Sequence, residues 1–204
     1  MNLTVDQLDT LQELVNIGVG RAASVLNEMI ECHIRLQVPF IRVFSPGQMK
    51  QELENRLGLS LVSAVRLGFT GSFSGLAQLV FPTDSASKLV ALLTNEEVGT
   101  PDLDAVKIGT LTEIGNIVIN GVMGSMSNLL RQHLNYSLPM YLEDTVEHLL
   151  SSKQLEPNTT VLLAQARFTI EQLQIAGDII LIFKLGSFDA LLTALEMIEE
   201  SEEE

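Results

Sequence analysis

The chain repeats itself, and that limits its possible folds more than any other feature of its 204 residues. Shifted by 100 positions, Glu13 falls on Glu113, Asn16 on Asn116, Ile17 on Ile117 and Pro39 on Pro139. Further along, a shift of 102 brings Gly75 onto Gly177, Phe81 onto Phe183 and Leu89 onto Leu191. The two residues gained between the halves suit a loop. Two copies of one unit predict a single domain over residues 1–204, with halves at about 1–98 and 99–204. Asn95–Asp104, with Gly99 and Pro101, is the natural joint and is too short to free the halves from one another.

Each unit opens with a long helical pattern. Leu8, Leu11, Val15, Ala22, Val25, Leu26 and Met29 form one apolar stripe; Leu111, Ile114, Val118, Val122, Met126 and Leu129 form the other. Thr4 is placed to cap the first helix, with Asp6 in its first turn. Gly18, Gly20, Gly115, Gly121 and Gly124 lie within these helices, where each glycine costs about 1 kcal/mol. Close packing against another element is the expected return. A strand with a proline then follows in each half, Ile34–Val43 and Tyr136–Leu142. Two more strands come next, Leu61–Phe69 and Leu76–Phe81, then Thr160–Phe168 and Ile175–Phe183. A shorter helix closes each unit, near Thr83–Leu93 and Phe188–Ile198, with Thr83 or Asp84 and Ser187 as expected caps. Gln48–Arg56 and Thr145–Ser151 read as additional short helices. The expected class is α/β (α+β): pseudo-twofold duplicated helix–strand–strand–strand–helix units share one largely antiparallel sheet, with the long helices packed on it.

The formal charge of −14 and the absence of any basic cluster argue against nucleic acid as a partner. The run Glu199–Glu204 reads as a solvated helix end. A lone Cys32, an acidic N-terminal stretch and the lack of an 18–20-residue apolar run point to a cytoplasmic, soluble chain without a membrane span.

Glu13 and Asn16 are three apart and therefore share a helix face, as do Glu113 and Asn116. A single Glu-x-x-Asn is most simply the polar side of an amphipathic helix. Here the pair recurs in register although its neighbours differ, with Gln12 against Thr112 and Arg21 against Gly121. Glu-x2-Asn-x22-Pro occurs twice, a string that matches a given start by chance roughly once in ten thousand at average residue usage.

With Asp9 added, the first copy resembles the Asp/Ser-x3-Glu-x2-Asn-x22-Pro pattern of the CheC, CheX and FliY chemotaxis phosphatases. Asp9, Glu13, Asn16 and Pro39 match, and the run Asn16–Ala23 is similar to the family's Gly- and Ala-rich helix, with Arg21 where Asn is usual. The second copy keeps Glu113, Asn116 and Pro139 but has Gly109 at the Asp/Ser position. A stand-alone CheC is the nearest type. The resemblance implies a phosphatase acting on the aspartyl phosphate of a CheY-type response regulator. Asn16 and Asn116 would each hold a water in line with the scissile bond, and Glu13 and Glu113 would pair with the receiver's lysine. No cofactor of its own is implied, since the Mg²⁺ belongs to the receiver. The alternative is a non-catalytic module binding the phosphorylated receiver or a CheD-type receptor deamidase.

The remaining candidates have weaker support. His33, His133 and His148 lack carboxylates at metal-ligand spacing. Ser24 and Ser125 have no Gly-x-Ser-x-Gly context. Gly71–Gly75 is a turn without the Gly-Lys-Ser/Thr of a phosphate loop, and the methionines read mostly as core.

Overall fold

A computed structural model describes residues 4–30, 34–38, 40–58, 60–94, 105–149, 160–170, 173–184 and 186–202. The first half runs α1 (Val5–Ile30), β1 (Ile34–Gln37), β2 (Ile41–Phe44), α2 (Pro46–Leu57), β3 (Leu61–Gly71), β4 (Gly75–Pro82) and α3 (Thr83–Thr94). The second runs α4 (Ala105–Leu129), β5 (Leu134–Tyr136), β6 (Met140–Thr145), α5 (Val146–Leu149), β7 (Thr160–Ile170), β8 (Leu173–Phe183) and α6 (Ser187–Glu202). The same order of helices and strands thus occurs twice. Among the described residues each unit has four strands rather than the three expected, because the strand expected around the proline is in two pieces. The joint at Asn95–Asp104 lies outside the described residues.

All eight strands join one sheet, ordered β1-β7-β8-β4-β3-β5, with β2 also on β7 and β6 also on β3. Every strand pair is antiparallel. β4 and β8 meet at the centre, where Gln78 lies opposite Ile180, the residue with which it aligns in the repeat. The edges are exchanged: β1 and β2 pair with β7 of the second half, and β5 and β6 pair with β3 of the first.

The alternation of strand side chains gives the sheet two buried faces. One carries Val65, Leu67, Leu79, Phe81, Ile179 and Leu181 beneath the long helices. Phe69, Phe73, Phe183 and Phe188 close this layer as a ring cluster with centroids 5.4–6.2 Å apart. α1 contributes Leu11, Leu14, Val15, Val19 and Leu26; α4 contributes Leu111, Ile114, Val118, Val122 and Met126. The other face packs Val62, Ala64, Val80 and Ile180 against Met49 and Leu53 of α2 and Val146 and Leu149 of α5.

The helix glycines behave as expected where the helices cross. A Cβ on Gly18 would stand 2.5 Å from Val122 Cα and 2.6 Å from the Gly121 carbonyl oxygen; one on Gly121 would stand 2.6 Å from the Gly18 carbonyl oxygen. α1 and α4 therefore touch backbone to backbone. Gly115 leaves room for the Val65 side chain of β3. Thr4 caps α1 reciprocally with Gln7: the Gln7 N–H donates to Thr4 Oγ1 at 3.1 Å and the Thr4 N–H to Gln7 Oε1 at 3.0 Å.

Two expected caps have other employment. The Thr83 hydroxyl donates to the Leu61 carbonyl at 2.9 Å, and Ser187 Oγ accepts the Ser74 N–H at 3.0 Å. Thr83 ties its helix start to β3, and Ser187 ties its own to the turn between β3 and β4, rather than to the first turn of the helix.

The α2/α5 face holds a polar group that no sequence pattern marks. Asp178 is 3% exposed, and Arg56 Nη2 approaches its Oδ1 to 2.8 Å without aligning as a hydrogen bond. Burial pushes the Asp178 carboxyl up to about 6, against the pull of Arg56 and with the help of Glu52. Arg66 Nη2 donates to Gln78 Oε1 at 3.0 Å and to the Leu149 carbonyl at 3.1 Å.

Candidate functional site

α1 turns its apolar stripe to the sheet, so the positions between its apolar residues face outward. Asp9, Glu13 and Asn16, spaced at i, i+4 and i+7, occupy that outer face and are all exposed. With Gln12 and Ile17 they line an open depression of about 560 Å³. Glu13 and Asp9 have no ion-pair partner among the described residues. A carboxylate in that state is available to a cation brought by another molecule.

Asn16 is exposed but not free to turn. Its Oδ1 accepts the Val38 N–H at 3.2 Å, from the bend between β1 and β2. Val38 itself is 3% exposed, so the donor is fixed by core packing. Carbonyl oxygen toward the protein leaves Nδ2 and one oxygen lone pair to solvent. Pro39, the next residue, lies outside the described residues.

α4 repeats the arrangement with different means. Glu113 is exposed and Asn116 half-buried. Asn116 Oδ1 accepts Asn120 Nδ2 at 2.7 Å, one turn along the same helix. Gly109, at the Asp/Ser position of the motif, faces open space, so the second site lacks the carboxylate of Asp9. Pro139 is half-exposed in the bend between β5 and β6, and its neighbour Leu138 is 89% exposed where its counterpart Val38 is buried. The structure thus groups Asp9, Glu13 and Asn16 on α1 and Glu113 with Asn116 on α4. No hydrogen bond or ion pair links the two groups among the described residues.

Arg21, which departs from the usual Asn, has a structural use: its Nη1 donates to the buried Ser125 Oγ at 3.3 Å, tying α1 to α4. His133 is exposed, His148 Nδ1 lies 2.8 Å from Asp144 Oδ1 at the surface, and Cys32 and His33 lie outside the described residues. No three His, Cys, Asp or Glu side chains gather as metal ligands among the described residues. No helix among them is long and apolar enough to cross a membrane.

Two contributors to the site are not among the residues expected from the sequence. The Val38 N–H is a backbone group and leaves no residue signature. Asn120 does leave one, because the repeat sets it against Gly20, a gain of an amide one turn from the motif.

Comparison with known proteins finds the same paired-helix fold and part of the same sequence pattern. Residues 7–42 match the model of the CheC-like family, a span that contains the whole first motif. The CheY-P phosphatase CheC of Bacillus subtilis (strain 168) is 24% identical over 204 residues, covering 93% of this chain and 94% of that protein. Among solved structures, Thermotoga maritima FliY shares the fold with a TM-score of 0.78 at 21% identity, covering 98% of this chain and 99% of that one. The FliM middle domain from H. pylori does so with a TM-score of 0.69 at 10% identity, covering 94% and 99%. The chain is CheC-like in sequence and in fold, and its similarity is to a chemotaxis phosphatase family.

Proposed function

We propose that the protein hydrolyses the aspartyl phosphate of a CheY-type response regulator at two sites, Glu13/Asn16 and Glu113/Asn116. The observation that carries this reading is the orientation of the two carboxamides. In each half the oxygen is held by an internal donor, Val38 N–H or Asn120 Nδ2, so the amide presents a set face outward. A carboxamide of fixed orientation offers a donor and an acceptor to one water.

Such a site needs little chemistry of its own. The receiver brings the phosphoryl group, its Mg²⁺ and its lysine, and the remaining task is to hold a water in line with the P–O bond. On docking, Asn16 or Asn116 enters the receiver's site and positions that water. Glu13 or Glu113, exposed one turn away, meets the receiver's lysine and sets the register. Water attacks phosphorus, the P–O bond to the aspartyl oxygen breaks, and inorganic phosphate leaves. The reading of the chain as one domain of two repeated units draws support from the doubled element order and the β4–β8 pairing at the sheet centre.

A second reading is a binding module for the phosphorylated receiver or a CheD-type deamidase. The FliM likeness keeps it in view, because fold alone does not dictate hydrolysis. The decay of a phosphorylated CheY-type receiver from the same source separates the two. Acceleration should survive Asn16→Ala and Asn116→Ala singly and disappear in the double variant. A receiver that binds but decays at its own rate would sink the enzymatic reading.

A further inference from the structure

The two motif asparagines are held by different donors, and from this, resting on the hydrolytic reading above, we infer that Asn120 is the positioning residue of the second site. In the first half the donor is Val38 N–H, brought down on Asn16 by a bend whose side chain is buried. In the second half the corresponding residue, Leu138, is 89% exposed, and its neighbour Ser137 is bonded to Gly68 instead: the Gly68 N–H donates to Ser137 Oγ at 2.8 Å and the Ser137 N–H to the Gly68 carbonyl at 2.9 Å. The β5–β6 bend is thereby held to β3, and among the described residues the donor to Asn116 comes from its own helix. Asn120 occupies the helical position one turn beyond Asn116, where the first half has Gly20. Its Nδ2 lies 2.7 Å from Asn116 Oδ1, and both residues are half-buried, which limits competition from water.

The consequence is chemical as well as geometric. Without a donor at 120, the Asn116 amide can rotate about its terminal torsion, which is broad for a carboxamide. It would then sample many orientations, of which about one in ten aims the amide correctly at the attacking water. The donor at 120 selects one orientation, as Val38 N–H does for Asn16. Asn120 itself does not touch the phosphoryl group; it acts through Asn116.

The test is made in the Asn16→Ala background, where turnover depends on Asn116. Asn120→Ala should lower kcat for receiver dephosphorylation about tenfold while KM stays within about twofold, because docking through Glu113 is untouched. Asn120→Asp, which keeps the shape and loses the donor, should fail to restore kcat. In the full chain, side-chain amide NMR should show an Asn120 Nδ2 proton protected from exchange, and Asn116→Ala should abolish that protection. Full kcat in Asn16→Ala/Asn120→Ala would overturn the assignment, and so would full kcat with the aspartate variant. A receiver that binds but shows no residual turnover in Asn16→Ala would overturn it too, since a positioned Asn116 would then do nothing. Turnover that persists in Asn16→Ala/Asn116→Ala would instead defeat the placing of hydrolysis at the two asparagines, leaving the NMR result to judge the contact by itself.

Discussion

The α1 site and the α4 site carry the same Glu-x-x-Asn on the same kind of helix, yet what their surroundings share is an internal hydrogen bond to the amide oxygen. The first draws its donor from a distant bend, 22 residues along the chain, and carries Asp9 beside an open depression. The second draws it from Asn120 on its own helix and has Gly109 where the carboxylate stood. One site therefore depends on tertiary packing for its geometry, and the other on helix geometry alone. The difference teaches that the held amide is the quantity common to both halves, while the device that holds it has changed. Loosening the tertiary structure should harm the first site before the second.

The largest test of that contrast acts where both helices meet. Gly18→Ala puts a methyl group against Val122 Cα and the Gly121 carbonyl, two backbone positions that cannot yield separately. Overpacking of this kind outweighs the gain in helix propensity, and a loss of about 3 kcal/mol in urea unfolding is expected. Receiver dephosphorylation supported by Asn16 should fall more than that supported by Asn116, measured in the two single-Ala backgrounds. An equal fall in both would mean that the Val38 contact is no more sensitive to helix seating than the Asn120 contact.

A second asymmetry between the halves lies on the opposite sheet face. Asp178 aligns in the repeat with Leu76, so a carboxyl is buried on β8 where β4 has an apolar side chain. The folded carboxyl titrates near 6 against 3.8 for the ordinary group, with burial as the main cause. A raised carboxyl favours folding when protonated: its contribution is complete below the unfolded value and is lost as pH rises through about 6. Between about pH 4.5 and 7 the protein should lose about 2 kcal/mol of unfolding free energy that Asp178→Asn does not lose. Parallel pH profiles for the two proteins would show that Arg56 fully compensates the buried charge.

Much of this architecture is legible in the amino-acid sequence. Helical and strand periodicities place all four main strands and four main helices, because each element buries one face and its sequence must alternate accordingly. The Glu13, Asn16, Glu113 and Asn116 faces follow from helix geometry in the same way. The exchange of edges is not legible. Two units of one pattern make β1–β2 equally able to pair with either long hairpin, and only the assembled sheet decides for β7. Nor do Thr83 and Ser187 reveal that their hydroxyls serve a strand and a turn elsewhere in the chain, since a cap and a cross-link use the same residue types. The break between β1 and β2 is half-visible: a proline in the run indicates an edge or a bulge, without saying that the ladder stops and restarts.

The smallest expected effect gives the sharpest comparison. Gly20 is exposed on α1, and a Cβ added there meets nothing within 4 Å. Gly20→Ala should therefore stabilise the fold by about 0.5–1 kcal/mol and leave turnover at the first site unchanged in the Asn116→Ala background. Gly20→Asn makes the first half carry the amide that the second half has at Asn120, with a gain of only a few tenths of a kcal/mol. Asn16 Oδ1 would then face two internal donors, Val38 N–H and the introduced amide, filling both of its lone pairs. If the attacking water donates to that oxygen, turnover should drop about threefold relative to Gly20→Ala, with KM unchanged. Equal turnover in the two variants would mean that the water is held through Nδ2 alone, and the same would then be expected of Asn116, whose oxygen already bonds to Asn120.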